Sequence, residues 1–369
     1  MKILKKIDKD MFFLGASSAT TFVSMYFINI LLPENIAVEV SYIISIGYLV
    51  GGLAGIILLN GLKFENPQSV KSARLDPFGV FLLCGLFLLA PVLLIVIFAF
   101  FRMGMSRSRP NKHNLVFGLF VILALILGNV LCYVVSHNPQ FSDYEFNFLP
   151  LGVVSISLAI LIASGRAYFF IPTFQFFNLK YKDLPVLVTQ IGCRLSYDAV
   201  IFLIPFALIN LVQLTLAKAD ASAFFVIYSV MGMSGLISNV IESKMLADQS
   251  SGNLSWNVGR GVVLICALTF FIPFFWLIWI VGLESPVSIV TGLCSVVGVL
   301  IGIEGVALRK KLDARKIGFV SCILILSCSC VFSIYLLSGF YSLFFLLLSY
   351  LFALLLFFAL IRCAACRLA

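Results

Sequence analysis

Apolar residues in this chain come in long, nearly unbroken runs, not in the short alternations of half-buried elements. The runs fall at 11–32, 38–62, 77–101, 115–136, 148–170, 197–217, 221–243, 260–283, 287–307, 317–337 and 341–361. About 20 apolar residues suffice for one helical crossing of a bilayer core. An open backbone in hydrocarbon is too costly, so each run is expected to cross as a helix. The pattern predicts an all-α fold: a polytopic helical membrane protein of 11–12 transmembrane helices, in two bundles around a central cavity. The expected divisions are an N-terminal bundle over 1–170, a cytoplasmic connecting segment over 171–196, and a C-terminal six-helix bundle over 197–369.

The polar connections assign sides, because short loops rich in Lys and Arg stay in the cytoplasm. The loop 308–316 carries Arg309, Lys310, Lys311, Arg315 and Lys316, and is expected inside. Counting outward, 284–286, 338–340 and 217–220 fall outside, while 244–259, 171–196 and the tail with Arg362 and Arg367 fall inside. In the first half, 137–147 holds two acids and no Lys or Arg, and is expected outside. The stretch 1–10, with Lys2, Lys5, Lys6 and Lys9, belongs inside, as do 63–76 (Lys63, Lys71, Arg74) and 102–114 (Arg102, Arg107, Arg109, Lys112). Only the run 77–101 separates the last two, and one crossing cannot join two inside loops. Either this run dips in and returns, with Pro91 near the bend, or one basic loop lies outside; the first keeps all three basic segments inside.

Composition agrees with lipid as the solvent. The 369 residues are 62% hydrophobic and 11% charged, with a mean hydropathy of +1.13, against about 45–50% apolar and about 25% charged in soluble domains. The net charge of +9 reads as topology, so no nucleic-acid partner is expected. Most of the ten cysteines lie inside apolar runs and read as small buried hydrophobes. Cys363 and Cys366 form C-A-A-C in the tail, either a metal or redox pair or two plain thiols; without a second pair or a nearby His they make a poor zinc site. The basic start is expected to lead into a retained first span, since no small-residue cleavage site follows a short apolar core.

Polar groups at membrane depth are expensive and mark candidate sites. Arg194 and Asp198 are spaced to pair along one helix; they either do so at a cavity or mark the cytoplasmic helix end. Asn210 and Gln213 follow on broadly the same side. Arg166 either faces a cavity and attracts an anion or anchors the interface. Ser17, Thr21 and Ser24 form a hydroxyl stripe on the first helix, suited to a wet cavity or to helix–helix contact. Glu304 is expected to pair with Arg309 or to line the cavity. Gly47, Gly51 and Gly55 allow close helix approach. No catalytic motif, nucleotide-binding loop or metal-ligand pattern occurs, so no enzyme activity and no bound cofactor are expected.

The basic start before a Ser/Thr-containing first helix, the turn LLPEN, the second helix ending IILLNGL, and AFFVIYSVMGMSGLISNVIESK preceded by Tyr197 and Asp198 together resemble the O-antigen flippases of the multidrug/oligosaccharidyl-lipid/polysaccharide exporter superfamily. The resemblance covers most of the length and rests on architecture. It departs from the family in showing eleven clear runs where twelve helices are usual. It implies translocation of an undecaprenyl-diphosphate-linked oligosaccharide repeat unit across a bacterial inner membrane by alternating access. Such a cavity must offer cations to the diphosphate. Arg166 and Arg194 are the candidates, with Asp198, Asn210, Gln213, Ser17, Thr21 and Ser24 as further contacts. It also implies a coupling ion, H+ or Na+, with Asp198 as its carrier, and as partners membrane lipids, a polysaccharide polymerase and a chain-length regulator. The alternatives are the polymerase itself, for which a long outer loop with Arg or His is expected, and a drug or cation exporter of the same superfamily, for which intramembrane acids are expected.

Overall fold

The computed structural model describes scattered positions within 22–50, the segments 70–74 and 170–174, residues 130 and 134, and then 184–247, 258–311 and 314–367. Among these residues the chain is helical apart from one two-stranded antiparallel ribbon. Four helices are long and apolar enough to cross a membrane, and the protein is a multi-pass helical membrane protein. The chain divides into two compact units, Met1–Gln213 and Leu214–Ala369.

In the first unit, an apolar helix covers Ala37–Gly47, and the described residues 22, 23, 25, 26, 29 and 30, all helical, precede it. Strand β1 (Val70–Arg74) pairs antiparallel with β2 (Phe170–Phe174), Ser72 lying opposite Pro172. The pattern does not predict this ribbon, which joins two segments about a hundred residues apart; long-range pairing leaves no local signature in a single run. Helix α1 spans Leu184–Thr215, 13 residues earlier than the run at 197. Residues 184–196 are largely apolar, and Pro185 at the first turn costs no hydrogen bond. The connecting segment expected over 171–196 is therefore part strand and part helix. The possible dip at 77–101 lies outside the described residues.

The second unit holds helices α2 (Lys218–Ala247), α3 (Val258–Trp276), α4 (Ser285–Lys311), α5 (Ala314–Ser338) and α6 (Leu343–Arg367). Helix α4 is the central element and packs on α2, α3 and α6, while α5 packs on α6. Its buried face carries Val290, Cys294, Val297 and Ile301, a helical stripe that repeats every three to four residues. One close approach is at Gly292. A Cβ there would stand 2.8 Å from Phe270 Cδ2 and 3.1 Å from the Phe270 carbonyl oxygen on α3.

Helix α3 is the opposite case. Val263, Leu264, Ile272 and Trp279 are exposed, so its outer face is built for lipid. Pro273 removes one backbone donor, and the last turn relaxes into a π-helical segment, Leu277–Val281. Gly282, at φ +78°, ends it, and the Leu283 N–H donates to the Leu277 carbonyl at 3.0 Å. The α5–α6 turn uses the same device, Gly339 at φ +71°. Trp276, Trp279, Phe340 and Tyr341 cluster along the chain at these two turns, as expected of an aromatic belt at one membrane interface.

Candidate functional site

In the second unit six buried hydroxyls serve their own helices. Ser229, Thr269, Ser288, Thr291, Ser295 and Ser321 each donate to the carbonyl four residues earlier, at 2.6–3.1 Å. Such back-bonding satisfies a buried hydroxyl without a partner helix or water. Thr215 and Tyr335 share a hydroxyl–hydroxyl bond of 3.1 Å.

Glu304 and Arg362 form an ion pair between α4 and α6. The side chain of the expected partner, Arg309, lies outside the described residues. Arg362 comes from the neighbouring helix, at the same distance along α6 as Glu304 along α4. Glu304 follows Ser285 by 19 residues, about 29 Å of helix, close to the roughly 30 Å thickness of the hydrocarbon. Along α4 the pair thus lies about one hydrocarbon thickness from the aromatic turns, at a level where charge is tolerated.

In the first unit, polar side chains also join helices to one another, here within apolar sequence. Asn29 Nδ2 donates to Ser41 Oγ at 2.7 Å and to the Met25 carbonyl at 2.7 Å. Ser41 is fully buried. One residue on, Tyr42 Oη donates to Asn210 Oδ1 of α1 at 2.9 Å. Ser45 Oγ reaches Met25 Sδ at 3.5 Å. Adjacent residues on a helix point about 100° apart, so Ser41 and Tyr42 address two different neighbours. The helix Ala37–Gly47 therefore stands between the first helical segment and α1, bonded to each. Asn210 also donates from Nδ2 to the Phe206 carbonyl at 2.8 Å, which fixes its amide orientation.

The expected site residues are distributed unevenly over this frame. Arg194, Asp198, Asn210 and Gln213 all lie on α1, with 19 residues, about 29 Å of helix, between the first and last. Asp198 and Asn210 are about 18 Å apart along the axis, with Pro205 between them. These four residues therefore form two levels, not one compact constellation. Asn210 is bonded to Tyr42 and half-buried; Gln213 is exposed, two residues before α1 ends. Ser17, Thr21, Ser24 and Arg166 lie outside the described residues. Asn29, Ser41 and Tyr42 escape the sequence reading. Asn29 lies beside the hydroxyl stripe and not on it, and a Ser-Tyr pair in VEVSYII has no helix-length signature. Their signal is only that a carboxamide within an apolar run needs a partner.

Among the described residues, no group of three or more His, Cys, Asp or Glu is placed to hold a metal ion. No family model matches the chain, and no curated protein does. Among solved structures, it is similar to a mutant of the MATE transporter VcmN of Vibrio cholerae, at 13% identity and a TM-score of 0.44, over 97% of this chain and 96% of that one.

Proposed function

We propose that this protein is a transporter, not an enzyme, that carries an undecaprenyl-diphosphate-linked oligosaccharide repeat unit from the inner to the outer leaflet of a bacterial inner membrane. The observation that carries this reading is the set of polar groups in the first unit, joined in two separate interhelical bonds, Asn29–Ser41 and Tyr42–Asn210. A sugar head group crosses hydrocarbon only where donors and acceptors replace its water. Asn29, Ser41, Tyr42 and Asn210 supply carboxamide and hydroxyl groups of the type that bind sugar hydroxyls. On this reading Asn210 and Gln213 meet the sugar, with the hydroxyls of Ser17, Thr21 and Ser24 beside them. Arg166 and Arg194 meet the diphosphate, and Asp198 carries the coupling ion, H+ or Na+. Polymerase and chain-length regulator act on the product at the outer face, and the tail with Arg362 and Arg367 is cytoplasmic.

The test separates a binding role from helix contact. Removing both partners of a buried hydrogen bond with apolar groups of similar shape is nearly neutral for stability. The double variant Tyr42→Phe, Asn210→Leu is therefore expected to fold and reach the membrane at normal level. Lipid-linked repeat units are then scored by leaflet in cells lacking the native gene. Units trapped in the inner leaflet support the transporter. Normal translocation by the folded double variant assigns the polar groups to helix packing alone. Single units accumulating in the outer leaflet of the deletion strain identify a polymerase.

A further inference from the structure

The centre of the second unit holds a polar cluster that the proposed function does not use. The hydroxyl of Tyr350 on α6 lies deep among the helices, with Cys294 of α4, Tyr228 of α2 and Cys328 of α5 around it. Each of the four stands 7–10 residues from a helix end, at Lys218, Ser285, Ser338 or Leu343. That is about 10–15 Å along the axis, near the middle of a hydrocarbon layer roughly 30 Å thick. Helix α6 touches α2, α4 and α5, so four helices each bring one polar side chain to this level.

Packing around the cluster is incomplete. Leu346, Leu347, Ala353 and Leu354, one turn either side of Tyr350 on the same face, are buried, yet Tyr350 keeps accessible surface. Phe224, Phe225 and Met231 frame Tyr228 in the same way, and it too keeps accessible surface. On α4, Gly298 lies one turn past Cys294, and a Cβ added there would meet nothing within 4 Å. Three helices in mutual contact thus leave space close to one level.

Among the described residues, the Tyr350 hydroxyl has no hydrogen bond. A buried tyrosine hydroxyl normally finds a partner, and one left without it costs stability. The Cys294 thiol donates to the Leu347 carbonyl at 3.9 Å, which leaves its sulfur as a weak acceptor. We infer that this space holds a bound water molecule, which bridges the Tyr350 and Tyr228 hydroxyls beside the Cys294 sulfur. A buried water needs two to four polar partners and room between them, and this cluster supplies both. The surrounding spans, 221–241, 286–303, 317–337 and 343–361, contain no Asp, Glu, Lys, Arg or His, so they offer an ion no counter-charge. The site is independent of the transported substrate.

X-ray radiolysis of the full-length protein in detergent tests it, because bound water yields hydroxyl radicals in place. Corrected for intrinsic reactivity, Tyr350 is expected to gain oxygen several-fold faster than Phe357, buried on the same helix. Equal rates overturn the inference. A double-mutant cycle of Tyr228→Phe and Tyr350→Phe, read by thermal unfolding, removes only the two hydroxyl oxygens. With a bridging water, Tyr350→Phe raises the unfolding constant roughly fivefold. The double variant then loses less than the product of the single losses, since both hydroxyls share one water. A Tyr350→Phe protein as stable as wild type, or more stable, means that the hydroxyl is dry and overturns the site; so do single losses that simply multiply.

Discussion

The α3–α4 contact is tight where Gly292 meets Phe270, and Gly292→Leu measures it. A Cβ at this position would sit 2.8 Å from Phe270 Cδ2 and 3.1 Å from the Phe270 carbonyl oxygen, against about 3.5–4.0 Å for an unstrained carbon contact. The ring cannot simply swing away. It stacks on Phe274 at 5.7 Å and meets Phe271 edge-on at 5.2 Å, and the carbonyl belongs to the backbone. Overpacking of this kind costs about 1–3 kcal/mol, and leucine places three more carbons beyond the clashing Cβ, so the upper end applies. Against it stands a helix-propensity gain of about 0.8 kcal/mol for replacing glycine. The expected net loss is about 2 kcal/mol, roughly 30-fold in the unfolding equilibrium. Gly292→Ala, which adds only the Cβ, should lie within about 1 kcal/mol of wild type. The assay is thermal unfolding in detergent, followed by a thiol-reactive dye that reports exposure of the buried Cys294 and Cys328. In a Phe270→Ala background, the cost of Gly292→Leu should fall by at least about 1 kcal/mol, since the two positions touch. An equal cost in both backgrounds, or a Gly292→Leu protein as stable as wild type, would refute the close approach.

Three further outcomes follow from the same geometry. The Thr215–Tyr335 hydroxyl pair should show a coupling of about 0.6 kcal/mol in a double-mutant cycle of Thr215→Val and Tyr335→Phe; no coupling would mean the two hydroxyls do not meet. Glu304→Gln should shift stability by no more than about 1 kcal/mol, because Arg362 is 60% exposed and its charge is screened at the interface; a larger loss in the same unfolding assay would place the pair deeper than its position along α4 implies. In native vesicles, a membrane-impermeant maleimide should label the exposed Cys363 from the cytoplasmic face and leave Cys294 unlabelled; labelling of Cys294 in the folded protein would reveal an open aqueous path into the second unit.

The polar groups of the first unit and the back-bonded hydroxyls of the second are made from the same residue types. Ser41 and Ser295 are both buried serines in apolar helices. Ser295 returns its proton to Thr291 on its own helix, whereas Ser41 accepts from Asn29, twelve residues away. Only the neighbour across the helix interface distinguishes them. Glu304 makes the same point, since Arg362 reaches it from α6.

What the sequence determines by itself is the solvent and the elements. Runs of 20 or more apolar residues must be lipid-embedded helices, because backbone groups in hydrocarbon have no partner except their own helix. The glycines at 282 and 339 mark turns for an equally local reason, the left-handed conformation that ends a helix. Tertiary structure alone decides what is non-local: that Val70–Arg74 finds Phe170–Phe174, that Tyr42 reaches Asn210, and that Gly292 admits Phe270. Each depends on which helices stand side by side. The hydropathy of a lipid-embedded helix is nearly the same on every face, so it carries little information about its neighbours.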